Sequence, residues 1–174
     1  MNPSPHVQVA VPQSEQDFDA IRDLMRSFMD WHRVRHHDQL DLVFGYFDQS
    51  AFDFELANLA DKYAQPEGCL LLAKLDGQPA GCVGLRTIEP GICEMKRMFV
   101  NPNFQGNGVG IALATEIISK ARELGFSKMR LDSGEKQFEA HQLYRKVGFV
   151  EIPAYYDVPE DLRKWLTFME LSLA

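Results

Sequence analysis

Three things are missing from this chain, and each absence removes a class of function. Cysteine is scarce, at three in 174 residues. Cys69, Cys82 and Cys93 each sit inside an apolar, strand-like run, with no C-x-x-C pair or His/Cys cluster nearby. That argues against zinc, so no metal is expected and the thiols read as reduced core residues. Positive charge is in deficit, with 18 basic against 25 acidic residues and a net charge of −7. Broad binding to nucleic acid or to an anionic membrane surface is therefore not expected. Long apolar runs are also absent, and the opening MNPSPHVQVAVPQSEQ has neither a basic n-region nor an apolar h-region. Nothing in the sequence exports or anchors the chain, which places it in the cytoplasm as an expectation.

What remains is ordinary for a globular domain, at 45% hydrophobic and 25% charged. The length fits a single domain over residues 1–174, with no internal repeat or low-complexity linker to divide it. The acidic excess lies in residues 1–63, which hold 11 acidic and 5 basic side chains.

Periodicity supplies the elements. Val7 to Val11 reads as a strand. Ser14 followed by Asp17 is a capping-box variant that opens a helix to about Val34, with Phe18, Ile21, Leu24, Met25 and Phe28 on one face. A second helix is expected from Ser50 to Tyr63, on the spacing of Phe52, Leu56, Leu59 and Tyr63. The stretch RHHDQLDLVFGYFDQ between them has no clear period. Two apolar runs joined at Asp76-Gly77 form a hairpin, and Ile92 to Val100 adds a third strand. A helix from Gly108 to Leu124 ends at Gly125, a strand covers Lys128 to Asp132, and a helix covers Phe138 to Val147. The strands FVEI and Leu166 to Leu173 close the chain.

The stretch NPNFQGNGVG, residues 101–110, lies between the third meander strand and the next helix. Gly106, Gly108 and Gly110 alternate with residues whose side chains point away, so backbone N–H groups can converge on one point beside the positive end of a helix. An anion is the natural guest. A P-loop is excluded because no Gly-Lys-Ser/Thr follows at the required spacing. A dinucleotide fingerprint fails because its third glycine position is Ile111.

The stretch VNPNFQGNGVG does resemble the Q/R-x-x-G-x-G/A signature of the GCN5-related N-acetyltransferases, with Gln105, Gly108 and Gly110 in the signature positions. AHQLYRKVGFVEI is similar to that family's A-x-x-L-Y-x-x-x-G-F segment at Ala140, Leu143, Tyr144, Gly148 and Phe149. The two matches cover roughly residues 68–152. The resemblance implies an α+β fold close to a three-layer arrangement: a mixed, mostly antiparallel sheet of about 6–7 strands with a central splay, flanked by about 4 helices. It implies acetyl-coenzyme A as cosubstrate, with Gln105, Gly106, Asn107, Gly108, Val109 and Gly110 around its pyrophosphate. Met98, Phe99 and Val100 would meet the pantetheine arm where this strand splays from strand 128–132. Ser133, beside Asp132 at that splay, is a further expected contact.

The implied reaction is transfer of acetyl from the thioester to a primary amine by direct attack in a ternary complex. It needs a neutral amine, a stabilised oxyanion and a proton for the leaving thiolate. Tyr144 matches the family's general acid, against the reading of an aromatic packed on the sheet. Glu94, eleven positions before Gln105, resembles the family's general base, against the reading of a solvated strand-end carboxylate paired with Lys96 or Arg86. Alternation puts Glu94, Lys96 and Met98 on one face unless a bulge intervenes. His32 and His36 lack the pattern of a metal site and read as a surface helix end, and His37 and His141 as polar face or loop residues.

The acceptor is expected to be a small molecule or a peptide amine. It would bind between the acidic region 1–63 and PAYYDVPEDLRKW, although an acidic excess on amphipathic helices is first of all a solvated face. Assembly as a homodimer is left open. The competing readings are a non-catalytic acyl-coenzyme-A-binding module and transfer of a longer acyl group.

Overall fold

The computed structural model describes residues 5–174. The chain begins with strand β1 (Val7–Ala10) and helix α1 (Glu15–Arg35), followed by three short helices, α2 (Leu40–Tyr46), α3 (Gln49–Ala57) and α4 (Leu59–Lys62). A meander of β2 (Gly68–Leu75), β3 (Gln78–Glu89) and β4 (Ile92–Val100) comes next. A single 3₁₀ turn at Pro102–Phe104 leads to α5 (Val109–Glu123), β5 (Lys128–Gly134), α6 (Phe138–Lys146), β6 (Val150–Ile152), α7 (Glu160–Trp165) and β7 (Leu166–Ser172). One seven-stranded sheet, in the order β1-β2-β3-β4-β5-β7-β6, is antiparallel except for the β4–β5 pair. The mixed sheet expected from the sequence is therefore present.

Local chemistry explains the boundaries. Ser14 accepts the Asp17 N–H at 3.2 Å to start α1, and the buried stripe Ile21, Leu24, Met25, Phe28 and Met29 continues to His32. Asp76 and Gly77 both have positive φ, as a tight hairpin between β2 and β3 requires. The expected helix 50–63 is two helices. Asp48 rather than Ser50 caps the first, accepting the Ala51 N–H at 2.7 Å. Asn58 ends it, its side-chain amide donating to the Phe54 carbonyl at 2.8 Å. Asn competes in this way for backbone partners and so interrupts helices. Helices α2 and α7, unforeseen from the sequence, bury one and two residues, too few to leave a period.

Two cores lie on the two faces of the sheet. On one face α5 and α6 pack over Leu71, Val83, Leu85, Met95, Met129 and Leu131. On the other, α1 to α4 and α7 pack over Leu70, Leu72, Cys82, Phe99 and Phe168. All three cysteines are buried and free, as expected.

The centre of the sheet positions the site in two ways. β4 and β5 pair only from Ile92↔Lys128 to Glu94↔Arg130, after which they part. β4 stays paired to β3 as far as Val100, and β5 to β7 as far as Gly134, so one edge of each is open beyond that point. β4 also carries a bulge: Arg97 and Met98 stand opposite the single residue Val83, and Arg97 has φ +56°. The extra residue reverses the alternation. Glu94 and Lys96 face the helical side with α1 to α4, whereas Met98 and Val100 pack on the α5 side. The shared face expected for Glu94, Lys96 and Met98 is thus broken by the bulge, the exception the pattern allowed.

Candidate active site

The glycine loop forms the first wall. Gly106 and Gly108 adopt φ +79° and +80°, and a Cβ built on either would meet nothing within 4 Å. Gly108 is the residue before α5 and offers no side-chain cap. The first intrahelical bond runs from the Ala112 N–H to the Gly108 carbonyl at 3.1 Å, which leaves the N–H groups of Val109, Gly110 and Ile111 without helical acceptors. Open space, free donors and a helix dipole of fifteen residues suit an anion without any lysine. Asn107 braces the loop, its amide donating to the carbonyls of Phe104 at 3.1 Å and Gln105 at 3.2 Å.

From this loop a groove of about 480 Å³ runs along the open edge of β4. Gln105, Gly106, Gly108, Val109 and Gly110 line one end, and Met98, Phe99 and Val100 the other. Eight of the ten residues assigned to the coenzyme from the sequence therefore share one groove. Asn107 and Ser133 do not line it. The Ser133 hydroxyl is spent on Gln137 Oε1, and the Gln137 amide donates to His32 Nε2 at 2.7 Å.

At the splay the groove meets a narrow gap of about 30 Å³, roughly the space of a single water, lined by Met98, Ser133, Asp132, Lys96 and Tyr144 among others. Tyr144 is only 5% exposed and its ring lies 5.8 Å from that of Phe149. Burial first, and the Asp132 charge second, push its hydroxyl above the usual phenol range. It therefore stays protonated in neutral solution.

Across the gap opens a wider cleft of about 620 Å³, with Glu94, Lys96, Arg97 and Asp132 on its floor and Tyr46, Tyr155 and Tyr156 around it. Glu94 is buried rather than solvated. Its Oε1 accepts Nε and Nη2 of Arg86 at 3.1 and 3.0 Å and lies 3.5 Å from Lys96 Nζ, and its Oε2 accepts the Tyr155 hydroxyl at 2.5 Å. Arg97 donates to both oxygens of Glu55, at 3.1 and 2.7 Å, with its guanidinium near the rings of Phe47 and Phe52. Burial alone would raise the Glu55 carboxyl, but Arg97 and Tyr63 outweigh it and hold the group below the usual carboxylate range. The Asp132 carboxylate takes the hydroxyls of Tyr46 and Tyr156.

Several functional-looking residues escaped the sequence. Tyr155, Tyr156 and Arg97 had no assigned role, and the one available signal was a tyrosine pair in a loop already assigned to the acceptor side. His32 and His36 are corrected: they are 2% and 0% exposed, stacked with ring centroids 5.4 Å apart, and belong to the core and not to a surface helix end. His141 is likewise buried, because α6 turns it inward beneath Gly134. Burial pushes His32 down to about 3. Among the described residues no group of three or more His, Cys, Asp and Glu could hold a metal, and no helix is long and apolar enough to cross a membrane. The acidic excess of α1 faces solvent, with Glu15, Asp19, Asp23 and Asp30 paired to nearby arginines.

Known proteins give this arrangement a context. The sequence profile of the acetyltransferase (GNAT) family matches residues 22–149. An uncharacterized N-acetyltransferase of Schizosaccharomyces pombe is 34% identical over 161 residues, covering 91% of each chain. A GNAT-family acetyltransferase of Staphylococcus aureus superposes with a TM-score of 0.74 at 19% identity, over 97% of this chain and 100% of that one. The PaiA N-acetyltransferase of Thermoplasma acidophilum, solved in complex with coenzyme A, gives 0.69 at 15% identity over 96% and 99%.

Proposed function

The chain belongs to the acetyltransferase (GNAT) family, and from that premise we propose that it is an N-acetyltransferase that moves the acetyl group of acetyl-coenzyme A to a primary amine. The observation that carries this reading is the continuity of three spaces: an anion-ready loop, a groove along an opened strand edge, and a gap at the splay that joins the groove to a second cleft. A pyrophosphate fits the open space over Gly106 and Gly108 and the free N–H groups at the start of α5. An extended, amide-bearing arm fits the unpaired edge of β4, where it gains sheet-like hydrogen bonds. The coenzyme complex of the Thermoplasma relative is consistent with this assignment.

The chain's own residues then divide the work. Val109, Gly110 and Ile111 offer backbone N–H groups to the phosphates. Phe28 and Met98, which wall both groove and gap, exclude water from the acyl end. Tyr144 holds a proton at its hydroxyl for the departing sulfur. The amine enters from the wider cleft and loses its proton towards a floor that carries Glu94 and Asp132. Shared walls support direct attack: Phe28 and Met98 line groove and gap, and Lys96 and Asp132 line gap and cleft, so the two substrates have adjoining spaces.

Two measurements test the proposal. Acetyl-coenzyme A at 100 times its dissociation constant should stabilise the fold by about 2.7 kcal/mol, while NADH and ATP-magnesium should not. Spermidine, tyramine, L-aspartate and a lysine-bearing peptide should then be screened for release of the coenzyme A thiol. Absence of protection refutes the coenzyme assignment. Protection without thiol release from any amine favours a binding module over an enzyme.

A further inference from the structure

The two carboxylates on the cleft floor are equally buried, with side chains 3% exposed, but they are not equally compensated. Glu94 has two cations, Arg86 at 3.0 Å and Lys96 at 3.5 Å. Asp132 has neutral partners: the Tyr46 hydroxyl on Oδ1, and the Tyr156 hydroxyl on Oδ2 at 2.5 Å. The cation paired with it, Lys96 Nζ, is 4.0 Å away and closer to Glu94. Arg86 and Arg97 are engaged by Glu94 and Glu55. Among the described residues Asp132 is also the one carboxylate that borders both the wide cleft and the narrow gap that holds Tyr144.

The hydrogen bonds of Asp132 come from neutral hydroxyls, and the one cation paired with it is 4.0 Å away and nearer to Glu94, so an arriving cation adds the close charge partner that Glu94 already has. Each Asp132 oxygen accepts one hydroxyl and keeps acceptor capacity for another donor. We propose that Asp132 receives the acceptor's ammonium group, beside the hydroxyls of Tyr46 and Tyr156, and takes its proton. The acceptor is then an aliphatic amine that arrives as a cation. This inference rests on the acetyl-transfer reading and assigns a residue and a substrate class within it.

The proton balance closes. The ammonium gives one proton to Asp132, and the freed lone pair forms the bond to the thioester carbonyl carbon. As the carbon–sulfur bond breaks, its electron pair stays on sulfur, which takes a proton from Tyr144. The second nitrogen proton leaves as the amide forms and restores Tyr144. Asp132 passes its own proton to solvent through the cleft, for a net release of one. The groups facing Asp132 are Tyr46 from α2, Glu94, Lys96 and Arg97 from β4, Tyr144 from α6, and Tyr155 and Tyr156 from the loop before α7.

The test compares wild type, Asp132→Asn and Glu94→Gln, with the four screening amines and aniline, which is neutral at pH 7. For wild type, kcat/KM should fall on the acidic side and aniline should be poorly used. Asp132→Asn should lose about 100-fold in kcat/KM together with the acidic limb, and keep full thermal protection by acetyl-coenzyme A. Glu94→Gln should keep the limb. Wild-type kcat/KM with an unchanged limb in Asp132→Asn overturns the inference, as does equal use of aniline. Failure of the acetyl-transfer reading looks different, since wild type itself would then lack protection or turnover.

Discussion

Gly108 and Gly125 form a matched pair that separates the cost of a backbone conformation from the cost of blocking a site. Gly108 precedes α5 with φ +80°, Gly125 follows it with φ +86°, and a Cβ at either would touch nothing within 4 Å. Alanine at either position therefore costs conformational strain alone, about 1–2 kcal/mol. In a chain of this size that lowers the melting temperature by roughly 2–4 °C per kcal/mol. The two variants should melt alike. They should part company with acetyl-coenzyme A present, because the methyl at Gly108 enters the space assigned to the pyrophosphate and the methyl at Gly125 does not. A tenfold loss of affinity in Gly108→Ala would cut protection from about 2.7 to about 1.4 kcal/mol at the same ligand concentration, a difference that thermal melting resolves and calorimetry can check. Equal protection of both variants would refute the placement of the anion over this loop.

Tyr144→Phe removes one oxygen and keeps the ring against Phe149, so kcat should fall by about 10²–10⁴-fold with little change in coenzyme affinity or melting temperature; full turnover with lowered stability would return Tyr144 to a packing role. Stability should also fall as pH drops from 7.5 to 5.5. Burial depresses His32, to about 3, and also lowers His36 and His141, so the unfolded chain binds more protons. The stabilisation is whole above the unfolded value near 6.5 and is lost as pH falls from there towards the folded values. Each histidine that stays neutral in the fold costs about 1.4 kcal/mol at pH 5.5, read as a shift in urea midpoint. His32→Met should flatten the slope by one histidine's share, and an unchanged slope would show that His32 is not among the groups responsible.

How legible all this was in the sequence depended on range. The glycine loop, the hairpin at Asp76-Gly77 and the stripe of α1 are local patterns, and they appear in place. What failed to show was either too short or too distant. Helices α2 and α7 bury one and two side chains and leave no period. The histidines are polar letters on an amphipathic helix, and only the packing of Phe28, Phe47 and Trp165 around them makes them core. The cleft floor joins Tyr46, Glu94, Asp132 and Tyr155, which are far apart along the chain, so no window of sequence contains it.

The single extra residue at Arg97 works as a phase shift along β4. Upstream of it the strand presents Glu94 and Lys96 to the wider cleft, and downstream it presents Met98 and Val100 to the opposite face. One strand thus serves two faces of the sheet. The halves meet again at the gap, which Lys96 and Met98 both line. Deleting Arg97 would remove the bulge and keep the faces as they are, with 94, 96 and 99 on one side and 95, 98 and 100 on the other, so the extra residue adds the Arg97 side chain without displacing its neighbours.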